Sequence, residues 1–141
     1  MSHLHVQMML YRPFVHYISH HKSKDCDSRS YAIASACVNV SRKIVHTTEE
    51  MRKLRLLNGA YWFTIYTTFF SIITLVYYVM VNPPDETALA ILADARLGRD
   101  CLKSIQGRSL AARRCTVALA VGVDPTRLSL SPPLTPPPIR F

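Results

Sequence analysis

The feature that most constrains this chain is an uncharged, strongly apolar run in its middle. Residues 56 to 84 contain no charged side chain, and the 21 residues from Tyr61 to Val81 read YWFTIYTTFFSIITLVYYVMV. A helix of this length extends about 31 Å, close to the hydrocarbon thickness of a bilayer. The run therefore predicts either the central buried helix of an all-helical domain or a single membrane span near residues 60–81.

The hydroxyl groups inside the run favour the buried helix. At 100° per residue, an arc of about 120° contains Thr64, Thr67, Thr68, Ser71 and Thr74, with Tyr78 beside them. The opposite face carries Trp62, Phe69, Ile73, Val76 and Met80. This division suits a helix surrounded by other helices, with its hydroxyls bonded to carbonyls one turn back. A membrane helix can also turn small polar groups toward a partner helix, so a single-pass membrane protein is the alternative.

Amphipathic patterns on both sides of the run predict further helices. The predicted helices cover residues 3–20, 30–46, 47–58, 60–81, 85–105 and 109–121. Pro13 kinks or restarts the first of them. Thr47 and Glu50 form a capping-box pattern that starts the third. The predicted fold class is therefore all-α, a multi-helix bundle built around one long hydrophobic helix.

The composition changes sharply at residue 124. The last eighteen residues, DPTRLSLSPPLTPPPIRF, contain six prolines, which favours disordered or polyproline-like chain. The sequence therefore predicts a partial helical domain at 1–123 and a disordered Pro-rich tail at 124–141.

Charge and cysteine content limit the classes of function. The net charge is +8, but the basic residues are scattered and no DNA-recognition element accompanies them. The four cysteines show no C-x2-C spacing, and nothing indicates a disulfide framework or a zinc site. The residues that raise a metal-site hypothesis have no recognisable ligand spacing; they are His3, His5, His20, His21, Asp25 and Cys26. No nucleophile-elbow, Walker or G-x-G-x-x-G motif is present, so we predict no catalytic site, no metal, no cofactor and no enzyme.

Arg12 is a candidate interaction residue because its guanidinium stands beside Pro13 at a predicted helix break. It could bind an anion or a carboxylate. The favoured interpretation is that it caps carbonyls freed by the proline.

Three segments together resemble a known family. They are HVQMMLYRPFVHYIS from His5, ACVNVSRKIVH from Ala36 and LNGAYWFTIYTTFFSIITLVYYVMVNP from Leu57. Their order and spacing resemble the middle homology, or xylanolytic activator-type, regulatory domain of fungal zinc binuclear-cluster transcription factors. The similarity covers about residues 3 to 120.

This resemblance implies a nuclear transcription-regulatory domain in which the aromatic run is a buried helix. It implies action through protein or effector contacts, with Trp62 and Tyr66 as possible effector or interaction residues, although core packing is the favoured role of Trp62. The family's six-cysteine DNA-binding cluster is absent from this sequence, as is the first half of the regulatory domain. We therefore expect a C-terminal piece of the domain, without zinc or sequence-specific DNA binding of its own. Expected partners are the missing domain half or other proteins of the transcription machinery, and uncovered apolar faces predict self-association; no membrane partner is expected.

Overall fold

The protein is described by a computed structural model over residues 1–18, 28–82 and 85–122, and it is all-helical across them. The elements are α1 (Ser2–Tyr11), a 3-10 segment (Arg12–Ile18), α2 (Ser28–Lys53), α3 (Trp62–Val81), α4 (Glu86–Ile105) and α5 (Leu110–Gly122). The predicted all-α bundle with one long apolar helix is confirmed. The predicted tail at 124–141 lies outside the described residues.

The predicted interruption at Pro13 is confirmed. α1 ends at Tyr11, and the tighter 3-10 segment that begins at Arg12 holds Pro13 in its first turn. A proline has no N–H to donate and crowds the preceding turn, so a change of helix type at this point satisfies its geometry.

α2 is one continuous helix, so the predicted start of a new helix at Thr47 is wrong. The Thr47 hydroxyl donates to the carbonyl of Lys43 at 2.8 Å, one turn back. Glu50 accepts a hydrogen bond from Lys53 at 2.9 Å. Because both side chains are occupied within a running helix, neither caps a new one.

The end of α2 is shaped by an unusual backbone conformation at Arg55. Its φ of 55° is left-handed, and the N–H of Leu56 donates to the carbonyl of Met51 at 2.8 Å. This closure resembles the glycine-type stop that ends many helices, although the residue in the left-handed position carries a side chain.

α4 starts at a capped N-terminus and crosses two other helices at Gly98. The Asp85 carboxylate accepts a hydrogen bond from the N–H of Ala88 at 2.7 Å and caps the helix. At Gly98, the backbone of α4 packs directly against the side chains of Val45 on α2 and Ile72 on α3. A Cβ atom added to the glycine would clash with them.

The core lies between α2, α3, α4 and α5, and α1 and the 3-10 segment add Met8 and Val15 to it while packing against α2. Its most buried large side chains include Ile44, Ile65, Leu75, Leu102 and Leu119, all at most 2% exposed. α3 therefore occupies the central position that the sequence predicts for it.

Candidate interaction surface

The face of α3 that points into the bundle is the hydroxyl-bearing one. Its five hydroxyl residues are at most 5% exposed: Thr64, Thr67, Thr68, Ser71 and Thr74. Thr68 donates to the carbonyl of Thr64 at 2.8 Å, and Ser71 donates to that of Thr67 at 2.9 Å. Because these groups are hydrogen-bonded on their own helix, burying them does not leave polar atoms unpaired.

The same hydroxyls also connect α3 to its neighbours. The Thr68 hydroxyl lies 2.7 Å from that of Thr48 on α2. Thr67 lies 3.2 Å from Nδ1 of His5, and the ring of His5 meets Phe63 edge-on at 4.8 Å. Small polar groups thus let the helices approach closely while fixing their register.

The opposite face of α3 is aromatic and partly open to solvent. Residues at three- and four-residue steps share this face, and none is fully buried; the aromatic stripe consists of Trp62, Tyr66, Phe69, Ile73, Tyr77 and Met80. Trp62 is 64% exposed and Met80 is 63% exposed. The favoured prediction of core packing for Trp62 is therefore wrong, because the hydroxyl face takes the central position instead.

The aromatic stripe runs the length of α3, about 27 Å at 1.5 Å per residue. It contains no charged side chain. A continuous apolar stripe of this extent on a protein surface is typical of a contact site for another macromolecule.

Arg12 lies at the flank of this stripe. Its guanidinium stands over the ring of Phe70, 4.7 Å from the centroid. Phe70 is the helical neighbour of both Tyr66 and Ile73. The fold thus brings the three sequence candidates, Arg12, Trp62 and Tyr66, to one side of α3, where Arg12 makes a cation–π contact.

A partly buried polar cluster joins α2 to α4 and was not predicted from the sequence. Glu49 accepts two hydrogen bonds from the Arg52 guanidinium at 2.6 and 2.7 Å, and the Cys101 thiol donates to it at 3.1 Å. These bonds lower the pKa of Glu49 to about 2, the bond from Arg52 contributing most. Burial, with the adjacent carboxylate, raises the pKa of Cys101 to about 12. A protonated, enclosed thiol is a poor nucleophile, so the cluster is structural.

Metal-binding arrangements are not found among residues 1–18, 28–82 and 85–122, where no three His, Cys, Asp or Glu side chains cluster. Of the sequence candidates, His20, His21, Asp25 and Cys26 lie outside this part of the chain. His5 instead contacts Thr67 and Phe63 on α3.

Comparison with known proteins points to transcription. The chain is 37% identical over 120 residues to Activator of stress genes 1 of Saccharomyces cerevisiae, and 43% identical over 76 residues to Activator of stress genes protein 1 of Candida albicans. It is 32% identical over 120 residues to an S. cerevisiae protein with the provisional name transcriptional regulatory protein YJL206C. Its homologues are transcriptional regulators.

These similarities cover most of the chain and little of each relative. The first match spans 81% of this chain and 12% of the relative, the second 53% and 8%, and the third 77% and 15%. No family model matches the chain, and no solved structure matches it. The sequence of this chain is therefore similar to one segment of much longer regulators.

Proposed function

We propose that this chain is part of the regulatory domain of a nuclear transcription factor and acts through protein contacts made by the aromatic stripe. The similarity to transcriptional regulators supports the first half of the proposal. The aromatic stripe, exposed at Trp62 and Met80 and half-buried between them, supports the second half and is the observation that carries it. A helix held on one face by hydrogen bonds and only partly covered on the other is suited to receive a partner.

The finer assignment is to the middle homology domain of fungal zinc-cluster regulators. The motifs at Leu10–Phe14 and Leu57–Pro83 support it. In this proposal the zinc and the sequence-specific DNA contacts belong to a separate cluster, and these helices bind neither.

The apolar crevice between α3, α4 and α5 is a less suitable site for a small-molecule effector than the aromatic stripe is for another protein. The apolar crevice between α3, α4 and α5 has a cavity volume of about 10 Å³, which is room for roughly one water molecule. Drug-sized ligands occupy pockets of about 300 Å³ or more. The aromatic stripe, in contrast, offers a long surface to a protein.

The experiment fuses the full chain to a heterologous DNA-binding domain and measures reporter output in yeast. The test variant combines Trp62→Ala with Met80→Ser, which removes the two most exposed side chains of the stripe. The control is Leu89→Ala on α4, since Leu89 is also 64% exposed but lies off the stripe.

We expect the fusion to change reporter output relative to the bare DNA-binding domain, and the stripe variant to lose most of that change at equal protein level. The Leu89 control should keep it. A fusion that matches the bare DNA-binding domain would contradict the regulatory role. A stripe variant that matches the Leu89 control would contradict the assignment of the surface.

A further inference from the structure

A second exposed surface lies on α5 and combines apolar with basic side chains. Residues at steps of three and four share its outer side; the α5 face consists of Leu110, Arg113, Arg114, Val117 and Val121. Leu110 is 64% exposed, Val117 is 56% exposed and Val121 is 86% exposed. Three aliphatic side chains in one row, standing in water beside two arginines, form an amphipathic surface without a partner in the described bundle.

The charges of the α5 face are uncompensated. α5 contains no acidic residue, and among the described residues neither Arg113 nor Arg114 forms an ion pair. Both arginines lie near the N-terminus of the helix, where the backbone dipole is already positive. An anionic group bound here would relieve both sources of positive potential.

The turn between α2 and α3 extends the α5 face. A Cβ atom at Gly59 would lie 2.6 Å from the backbone carbonyl oxygen of Arg108 and 3.1 Å from Cβ of Ser109, so this turn rests against the start of α5. The same turn carries Arg55 and Leu56, and Leu56 is 57% exposed. Arg55 keeps its side chain despite a left-handed backbone that favours glycine.

We propose that the α5 face, extended by this turn, binds an acidic amphipathic peptide segment of another protein. Such a segment would place leucine-like side chains on Leu110 and Val117 and carboxylates on Arg113 and Arg114. This contact is separate from the aromatic stripe and goes beyond the regulatory role proposed above.

Charge distinguishes the acidic peptide from two other occupants. A second copy of the chain would bring arginines against arginines if it docked through the same face. The chain's own residues 124–141 carry two arginines and one aspartate, so they also lack the complementary charge. The phosphates of a nucleic acid would pair with the arginines. Because phosphate contacts are polar, the aliphatic row would have no apolar partner.

The test measures binding of the full 141-residue chain to a fluorescent designed helical peptide of about 18 residues, with leucine on one face and aspartate and glutamate beside it. A second peptide replaces every acidic residue with lysine. Two double variants change the α5 face: Arg113→Glu with Arg114→Glu reverses its charge, and Val117→Ser with Val121→Ser removes two of its apolar side chains. A third, Lys43→Glu with Arg96→Glu, is a control of equal charge change away from the face. Circular dichroism confirms that each variant remains folded.

We expect the acidic peptide to bind, the lysine peptide not to bind, and both face variants to weaken binding about tenfold while the Lys43/Arg96 control stays within about twofold. Equal weakening by the control would reduce the effect to net charge and overturn the proposal. The proposal would also be overturned if the acidic peptide did not bind. This holds whether or not the chain binds phosphatidylserine vesicles or duplex DNA through its arginines. The peptide assay is independent of the reporter result, so failure of one proposal is distinguishable from failure of the other.

Discussion

Gly98 is a point inside the core at which a single added methyl group should disturb the bundle. A Cβ atom built there would lie 2.9 Å from Cγ1 of Ile72 and 3.1 Å from Cγ2 of Val45. Ile72 is 2% exposed and Val45 is fully buried. Both contacts are shorter than van der Waals distance, so either these buried side chains or α4 must shift to accept the methyl group.

Two opposing effects determine the size of the change in Gly98→Ala. Replacing glycine by alanine inside a helix ordinarily stabilises by up to about 1 kcal/mol. Adding a methyl group to a closely packed core costs about 1–3 kcal/mol. Because these contacts are so short, we expect the packing cost to exceed the gain in helix propensity. The free energy of unfolding should fall by about 1–2 kcal/mol.

The assay is urea unfolding of the full chain, followed by circular dichroism at 222 nm. Gly107→Ala is the matched control, because no atom lies within 4 Å of a Cβ built at Gly107; it should be neutral or slightly stabilising. If Gly98→Ala were as stable as Gly107→Ala, the close crossing of three helices at this position would be refuted.

Two further predictions concern Glu49 and Arg55, which lie near the C-terminal end of α2. Because Arg52 and Cys101 lower the pKa of Glu49 to about 2, its ionised form stabilises the fold above its ordinary pKa, and this stability is lost as pH falls from about 4.5 toward 2. Thermal melts should therefore show a weaker acid dependence for Glu49→Gln than for the parent, and an unchanged slope would contradict this. Arg55→Gly should stabilise by about 1 kcal/mol in urea unfolding by relieving the left-handed strain, whereas Arg55→Ala, which keeps a Cβ, should not; equal effects would exclude that cause.

Periodicity was sufficient to predict the helices because their apolar positions recur at steps of three and four. The chemistry of proline located the break at Pro13, where there are few alternatives. The Thr47 capping box failed because a threonine hydroxyl can bond one turn back as readily as it can cap. A helix that restarts at Thr47 and one that continues through it share the same local pattern. Only the apolar stripe that continues through α2 distinguishes them.

The surface was harder to predict than the fold. Hydrophobicity alone places Trp62 inside, yet the threonine face of α3 is the buried one, because a hydroxyl bonded to its own helix is small and carries no free polar group. When either face of a helix can be buried, the sequence of that helix does not show which face the neighbouring helices cover. The Glu49–Cys101 bond joins residues 52 positions apart, and no local pattern signals such a contact.

The charges of α4 weigh against the membrane alternative. α3 is the one helix in the described part of the chain that is long and apolar enough to cross a bilayer, and half of its apolar window is buried by the bundle. Its midpoint, near Ile72, touches Gly98, and the residues around that glycine include Asp94, Arg96, Arg99 and Asp100. At the centre of a bilayer each charge costs about 2.5–3.5 kcal/mol, so together they exceed the roughly 3–6 kcal/mol by which α3 favours insertion.

A bilayer would therefore require α3 to separate from α4 and expose the core. A protein partner on the aromatic stripe would cover the same apolar surface while every helix stays in place. The outward aromatic face of α3, which by itself fits lipid and protein equally well, thus favours protein once the helix beside it is taken into account.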